Sequence, residues 1–176
     1  MGKYQEALTE AMTWLGDQED TIFIGQAVEY KGTAMTGTLG GVPDDKKIEL
    51  PVMEETQMGM TLGLALAGLR PVSIYPRWNF LVCAANQLVN HVDKLEKMGP
   101  GYPRGIIIRT GVGAKKPIHP QHQHVGNYTE AFKLMCPNIT FYEVKEPEEV
   151  VPAYKSAYFS KKPSVVVEWG DFYGEK

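Results

Sequence analysis

The residues of this chain best suited to chemistry fall in a few short segments. Glu49-Leu50-Pro51-Val52-Met53-Glu54-Glu55-Thr56-Gln57-Met58-Gly59 leaves a short apolar stretch, passes a proline and enters a segment patterned as a buried helix ending at Gly68. A carboxylate between a strand end and a helix start serves packing poorly and proton chemistry well, which singles out Glu54. The alternative is a carboxylate facing the positive end of the helix dipole, a role equally open to Glu55. Tyr75, Trp78 and Phe80 form an aromatic group whose faces suit a flat heterocycle at little entropic cost, and suit a core equally well. His119-Pro120-Gln121-His122-Gln123-His124 suggests metal at first sight. Zinc usually takes four ligands including cysteine or carboxylate, and no second ligand cluster accompanies these histidines, so a metal site is disfavoured. His91 lies within a helical pattern and reads as structural.

These residues need elements to position them. Tyr4, Leu8, Ala11, Met12 and Leu15 recur at helical spacing, with Gly16 as a stop. Thr21-Ile22-Phe23-Ile24 reads as a buried strand ending at Gly25. Residues 31–47, rich in glycine and charge, read as an exposed loop, and Ile48-Glu49-Leu50 as a weak strand. Residues 58–69 are almost wholly apolar, so a helix there must be covered on most sides. Pro71 to Tyr75 is the next strand, and residues 81–98 read as one helix. Gly105 to Arg109 is a buried strand feeding a glycine-rich loop. A helix over 127–135, a strand over 139–144, a helix opened by Pro147 with Glu148 and Glu149 in its first turn, and a strand over 164–168 complete the pattern. Strands alternating with helices predict an α/β fold of three layers, a mostly parallel sheet with helices on both faces and right-handed crossovers. Ligands of such sheets lie beyond the carboxyl ends of the strands, here near Gly25, Glu54, Tyr75 and Gly111.

With 176 residues the chain suits one domain. A net charge of −3 gives no electrostatic case for nucleic acid or an anionic membrane. No apolar run reaches the length of about 18 residues that a membrane span needs. The opening residues lead straight into the amphipathic pattern, without a signal-peptide core. Cys83 and Cys136 sit among apolar residues and are expected as buried free thiols in a reducing, cytoplasmic setting.

Several of these stretches share order and spacing with one family. Pro51-Val52-Met53-Glu54, then Gly59, then Ala67-Gly68-Leu69-Arg70-Pro71-Val72 resembles the pyrimidine-binding domain of the transketolase superfamily. The beta subunit of the decarboxylating component of 2-oxo acid dehydrogenases is the most similar type. Ile24-Gly25-Gln26-Ala27-Val28, Asn86-Gln87-Leu88-Val89-Asn90 with Lys94, Arg109-Thr110-Gly111-Val112-Gly113-Ala114 and Pro120-Gln121-His122 match further family stretches in register. The resemblance covers essentially the whole of residues 1–176 as a single pyrimidine-binding domain. It implies the thiamine-diphosphate-binding fold and that cofactor. It makes Glu54 the carboxylate that hydrogen-bonds a ring nitrogen of the aminopyrimidine and promotes loss of the thiazolium proton. It makes Phe80 the aromatic that stacks on the pyrimidine, with Tyr75 and Trp78 as pocket neighbours. His122 becomes the active-site histidine, with His124 as the alternative because the loop aligns to within two residues.

The departures matter as much. Gln26 and Ala27 stand where the family often has acidic residues. The Gly-Asp-Gly and downstream Asn that hold diphosphate and magnesium in the family do not occur, since Gly16-Asp17 and Gly170-Asp171 both lack the following glycine. The family's diphosphate-binding domain and C-terminal domain are expected to be absent. The resemblance therefore implies a split enzyme in which an alpha-type partner chain holds the diphosphate and Mg2+. Residues 58–69 and 81–98 would be its association surfaces, in a hetero-oligomer that also self-associates. The reaction would be of dehydrogenase, decarboxylase or transketolase type on a 2-oxo acid or ketose. The rival reading is a non-catalytic, regulatory relative of such a subunit. A nucleotide-binding doubly wound domain is disfavoured, because no Gly-x-Gly-x-x-Gly or P-loop follows a strand.

Overall fold

A computed structural model describes residues 2–30, 33–99, 105–115 and 119–174. Six strands form one sheet: β1 (Thr21–Gly25), β2 (Lys47–Glu49), β3 (Arg70–Tyr75), β4 (Ile107–Val112), β5 (Thr140–Glu143) and β6 (Ser164–Trp169), in the order β2-β1-β3-β4-β6-β5. Every pairing is parallel. The apolar runs of β3, β4 and β6 occupy the middle and are buried on both faces, as all-parallel strands require.

Helices α1 (Lys3–Gly16) and α8 (Pro147–Phe159) pack together on one face. Their buried residues, among them Tyr4, Leu8, Met12, Val150 and Tyr154, meet Phe23, Val72, Ile74 and Val166 of the sheet. The α8 start has Pro147 with Glu148 and Glu149 in its first turn, as the sequence predicts, and it also carries both halves of a capping box, Glu146 and Glu149. The opposite face is covered by α3 (Glu54–Leu66), α4 (Trp78–Cys83) and α7 (Thr129–Met135). There Met58, Trp78, Leu81, Leu88 and Phe132 pack on Tyr75, Ile106, Ile108 and Val165.

The structure corrects the sequence expectations in four places. The segment 31–47, of which 31 and 32 lie outside the described residues, is not a plain exposed loop. It forms α2 (Ala34–Gly37) and a 3-10 turn at Asp44–Lys46, and it buries Met35, Thr38, Leu39 and Val42. These apolar residues are too irregularly spaced for periodicity to reveal. The expected helix over 81–98 is broken. It runs as α4, α5 (Ala85–Gln87), a π-helical turn at Leu88–Val92 and α6 (Leu95–Met98). Ala84 leaves the helical region at φ −99°, ψ 12°, and Asp93 N donates to Leu88 O at 2.9 Å, the longer bond of a π turn. Helix α3 is not covered on most sides within this chain: only Gln57, Met58, Thr61 and Ala65 are buried. Finally, Cys83 is exposed on α4 while Cys136 is buried. Burial, with Asp93 nearby, pushes the Cys136 thiol up to about 12, so it behaves as an inert core residue.

Between β4 and β6 lies a buried ion pair that spacing alone does not reveal. Arg109 Nε lies 2.7 Å from Glu168 Oε1, and both side chains are fully buried. Arg109 also donates to Thr38 Oγ1 at 2.9 Å, while Tyr154 and Tyr173 donate their hydroxyls to Glu168. Burial first, then the Glu168 charge, holds both tyrosines well above their ordinary pKa, so they remain donors. The network ties α2, α8 and the C-terminal 3-10 turn Gly170–Tyr173 to the two strands.

Candidate active site at the switch point of the sheet

The chain reverses direction across the sheet between β1 and β3, because β2 lies on one side of β1 and all later strands on the other. The crevice beyond the carboxyl ends of such neighbouring strands is where doubly wound sheets bind ligands. A cleft of about 470 Å³ opens there, lined by Gln26, Glu49, Leu50, Pro51, Val52 and Pro76.

Its first wall is the turn after β1. Ala27 has φ 58°, a left-handed conformation uncommon outside glycine. The turn is held by the Glu49 carboxylate, which accepts from the backbone N–H of Ala27 at 3.0 Å, Val28 at 2.7 Å and Glu29 at 2.7 Å. Charge-assisted bonds of this kind offset the strain at Ala27. Gly25, two residues before it, has φ +142°, and a Cβ there would come within 2.3 Å of Ile74 O and 2.6 Å of Gln57 Nε2. Sequence reasoning passed over Glu49. An acid closing a short strand opposite a glycine-ended one is the signal that could have found it.

The second wall is formed by Leu50, Pro51 and Val52, which lead into the start of α3. Glu54 is its first residue and is half-buried. Its backbone carbonyl accepts from the Tyr75 hydroxyl at 3.1 Å, which fixes the helix start to the end of β3. One turn on, Gln57 is buried and donates to Ser73 Oγ at 3.1 Å and Ile74 O at 2.9 Å. Thr61 Oγ1 meets the same serine at 2.8 Å. This polar clamp locks α3 to β3. A glutamine on the buried face of an apolar helix was its sequence signal. The Glu54 carboxylate itself has no hydrogen-bond or ion-pair partner among the described residues. Glu55, beside it, points elsewhere: its Oε1 accepts from Asn86 Nδ2 at 2.7 Å and Gln87 Nε2 at 3.4 Å.

Outside the residues that line this cleft lies an aromatic pair. Phe80 is half-buried on α4, and its ring lies 5.3 Å, centroid to centroid, from that of His124. Arg77 Nη1 donates to the His124 carbonyl at 3.3 Å and holds that loop in place. His124 Nδ1 is buried and unpartnered. His122 is exposed, and no contact joins it to Phe80 among the described residues. Tyr75 and Trp78 were expected as pocket neighbours, yet both are fully buried. Tyr75 reaches the site through its hydroxyl alone, and Trp78 packs on Phe132 at 5.0 Å in the core. Their large apolar areas are better satisfied by the packed interior than by a groove. The structure thus pairs Tyr75 with the Glu54 backbone and Phe80 with His124, and among the described residues no hydrogen bond or ring contact joins the two pairs.

An all-parallel, doubly wound sheet with a cleft at its switch point defines an α/β domain of the ligand-binding type. The family model for the pyrimidine-binding domain of transketolase matches residues 2–169, and the chain belongs to that family, whose members use thiamine diphosphate. It is 27% identical over 175 residues to the mitochondrial pyruvate dehydrogenase E1 component subunit beta of Mus musculus, a match covering 97% of this chain and 48% of the relative. It is 32% identical over 133 residues to the pyruvate dehydrogenase E1 component subunit beta of Rickettsia felis, covering 73% and 40%. The chain thus spans about half the length of the curated relatives it matches. Among solved structures, a split-gene transketolase described as an inactive beta4 tetramer superposes with a TM-score of 0.72 at 17% identity, covering 94% of this chain and 51% of that one. Transketolase from Campylobacter jejuni superposes at 0.71 with 15% identity, covering 95% and 25%. At these identities the solved structures speak for the fold alone.

Proposed function

We propose that this chain is the pyrimidine-binding part of a thiamine-diphosphate-dependent enzyme acting on a 2-oxo acid or ketose, with Glu54 as its activating carboxylate. The observation that carries the reading is the contrast between adjacent acids. Glu54 is positioned through its backbone and leaves its carboxylate uncommitted, whereas Glu55 is tied to Asn86 and Gln87. The residues present fit the cofactor's pyrimidine: a proton-sharing acid, the accessible ring of Phe80, and a buried, unpartnered histidine nitrogen. When bound, the cofactor supplies an electron sink for breaking a bond next to a carbonyl. This chain's residues hold and orient it. Glu54 shares a proton with a ring nitrogen, and Phe80 offers its face to the ring. Of the two histidines, His124 is favoured as the group that moves a proton near the substrate, since it lies against Phe80 and His122 does not.

The diphosphate and Mg2+ would be held outside these residues, which carry no Gly-Asp-Gly, and the reading places that site on an alpha-type partner chain. The side of α3 left open here supports such a partner and self-association. It exposes Met60 and Leu66, with Val52 and Met53 just before the helix and Val82 on α4. Clustered exposure of this kind marks interfaces. The exposed thiol of Cys83 fits a reducing, cytoplasmic setting.

The test is deuterium exchange at the cofactor's thiazolium carbon, measured in the reconstituted enzyme. Glu54→Gln keeps a hydrogen-bonding group and removes the shared proton, so exchange should slow by about 100-fold or more. Glu55→Gln should leave exchange near wild type. Normal exchange in Glu54→Gln, or equal losses in both, would place the activating carboxylate elsewhere.

A further inference from the structure

A second cavity, of about 180 Å³, lies beyond the carboxyl ends of β3, β4 and β6, and Pro76, Arg77, Gly111, Gly113 and Gly170 are among the residues that line it. Pro76 is shared with the larger cleft, so the two spaces adjoin across one residue. Gly111 and Gly170 let backbone segments close on one another at its wall. A Cβ on Gly170 would come within 2.8 Å of Ala114 N, and one on Gly111 within 3.3 Å of Pro76 O.

Arg77 is the cation of this cavity. The guanidinium is half-buried, and its described hydrogen bond goes to the His124 carbonyl through Nη1. No carboxylate lies within ion-pair distance of it among the described residues. Burial lowers its pKa from the ordinary arginine value, and the charge of Asp171 acts in the opposite direction. Asp171 is itself engaged: its Oδ1 accepts from Lys115 N at 2.6 Å. A guanidinium taken partly out of water, with donors left over and an open cavity before it, is the arrangement that binds a carboxylate or phosphate through paired N–H bonds.

We propose that Arg77 and this cavity form the subsite for the anionic group of the substrate, a carboxylate or a phosphate, and that Arg77 is a specificity-determining residue. The inference rests on the reading of Glu54, Phe80 and His124 as an active site, and names the charge of what enters it. Because Arg77 also holds the His124 carbonyl, an anion bound there sits one hydrogen bond from the loop that carries the histidine ring. A neutral substrate would leave the guanidinium unpaired, so the site discriminates by charge.

The subsite is testable on the full chain without cofactor or partner, which separates it from the Glu54 exchange assay. Titrate the chain with pyruvate, neutral pyruvamide and inorganic phosphate, following by NMR the Arg77 Nε–H and the amides of Gly111, Gly113 and Gly170. Pyruvate should shift these signals and pyruvamide should not. Shifts with phosphate alone would assign a phosphate-bearing substrate, and shifts with pyruvate alone a carboxylate. Arg77→Met should weaken anion binding about 10-fold or more, from the loss of charge-assisted hydrogen bonds. Arg77→Lys should retain part of it, and Asp171→Asn should tighten it by removing a competing negative charge. Absence of shifts with both anions, or binding unchanged in Arg77→Met and Arg77→Lys, would overturn the proposal. Normal Glu54-dependent exchange alongside such a failure would leave the active-site reading intact.

Discussion

Single side chains in this site are sorted by what their neighbours leave free. Glu54 and Glu55 are adjacent and chemically identical, yet the Asn86 and Gln87 amides engage one and not the other. The histidine loop is sorted the same way. His124 has its ring beside Phe80 and its Nδ1 buried without a partner, while His122 is exposed. Loss of a proton-transfer group costs about 100-fold or more, so His124→Ala should reduce turnover of the reconstituted enzyme by that order. His122→Ala should stay close to wild type. Steady-state kinetics on the two variants decides between them, and a larger loss in His122→Ala would reverse the assignment.

At the scale of elements, the site is set by how helix starts are tied to strand ends. The Tyr75 hydroxyl, Gln57, Ser73 and Thr61 bind α3 to β3, and the Glu49 carboxylate shapes the turn after β1. On the far side of α4, Asp93 follows the π turn and is buried. Its Oδ1 accepts from Asn138 N at 2.8 Å, and its Oδ2 from Lys94 Nζ at 2.6 Å and Asn138 Nδ2 at 3.1 Å. This joins the broken helix to the link between α7 and β5. Burial pushes the Asp93 carboxyl up, but these donors more than offset it and hold the pKa below the ordinary aspartate value of 3.8. A carboxyl whose folded pKa is depressed contributes stability above its unfolded pKa and loses it as pH falls through the folded value. Urea unfolding should therefore show a stability increment that fades below about pH 4. Asp93→Asn should remove that pH-dependent increment and cost about 1–3 kcal/mol near neutrality, from unsatisfied donors. The same acid slope in Asp93→Asn as in wild type would show that other carboxylates carry it.

For the whole molecule, the open side of α3 matters most. Residues 58–69 are apolar enough for a buried helix, yet the sheet covers only one stripe of it. Met60 and Leu66 are left facing outward. Gly59 and Gly63 present no side chain there, and a Cβ at either would meet nothing within 4 Å in this chain, so a second backbone can approach closely. Sedimentation at high concentration should find the chain self-associated. Met60→Lys should shift it toward monomer with the circular dichroism spectrum unchanged. A monomer for both, across the concentration range, would count against the surface.

The sequence by itself was enough for the α/β class, the parallel sheet and the family, because long apolar strands and glycine-punctuated motifs keep their order whatever the packing. The family motifs also single out Glu54 and Phe80 by register, and the exchange assay tests the role proposed for Glu54. The sequence leaves His122 and His124 open, since two residues of loop cannot be counted from a motif; in space the Arg77 bond and the Phe80 ring lie with His124. Nor could it separate Tyr75 and Trp78 from true pocket residues, because an aromatic face has the same composition in a core as in a groove. The Arg109–Glu168 network, the Glu49-held turn and the Gln57 clamp join residues far apart in the chain. Their partners meet only when the sheet brings the strand ends together, so tertiary structure alone decided which acids and donors are spent on the fold and which are left uncommitted.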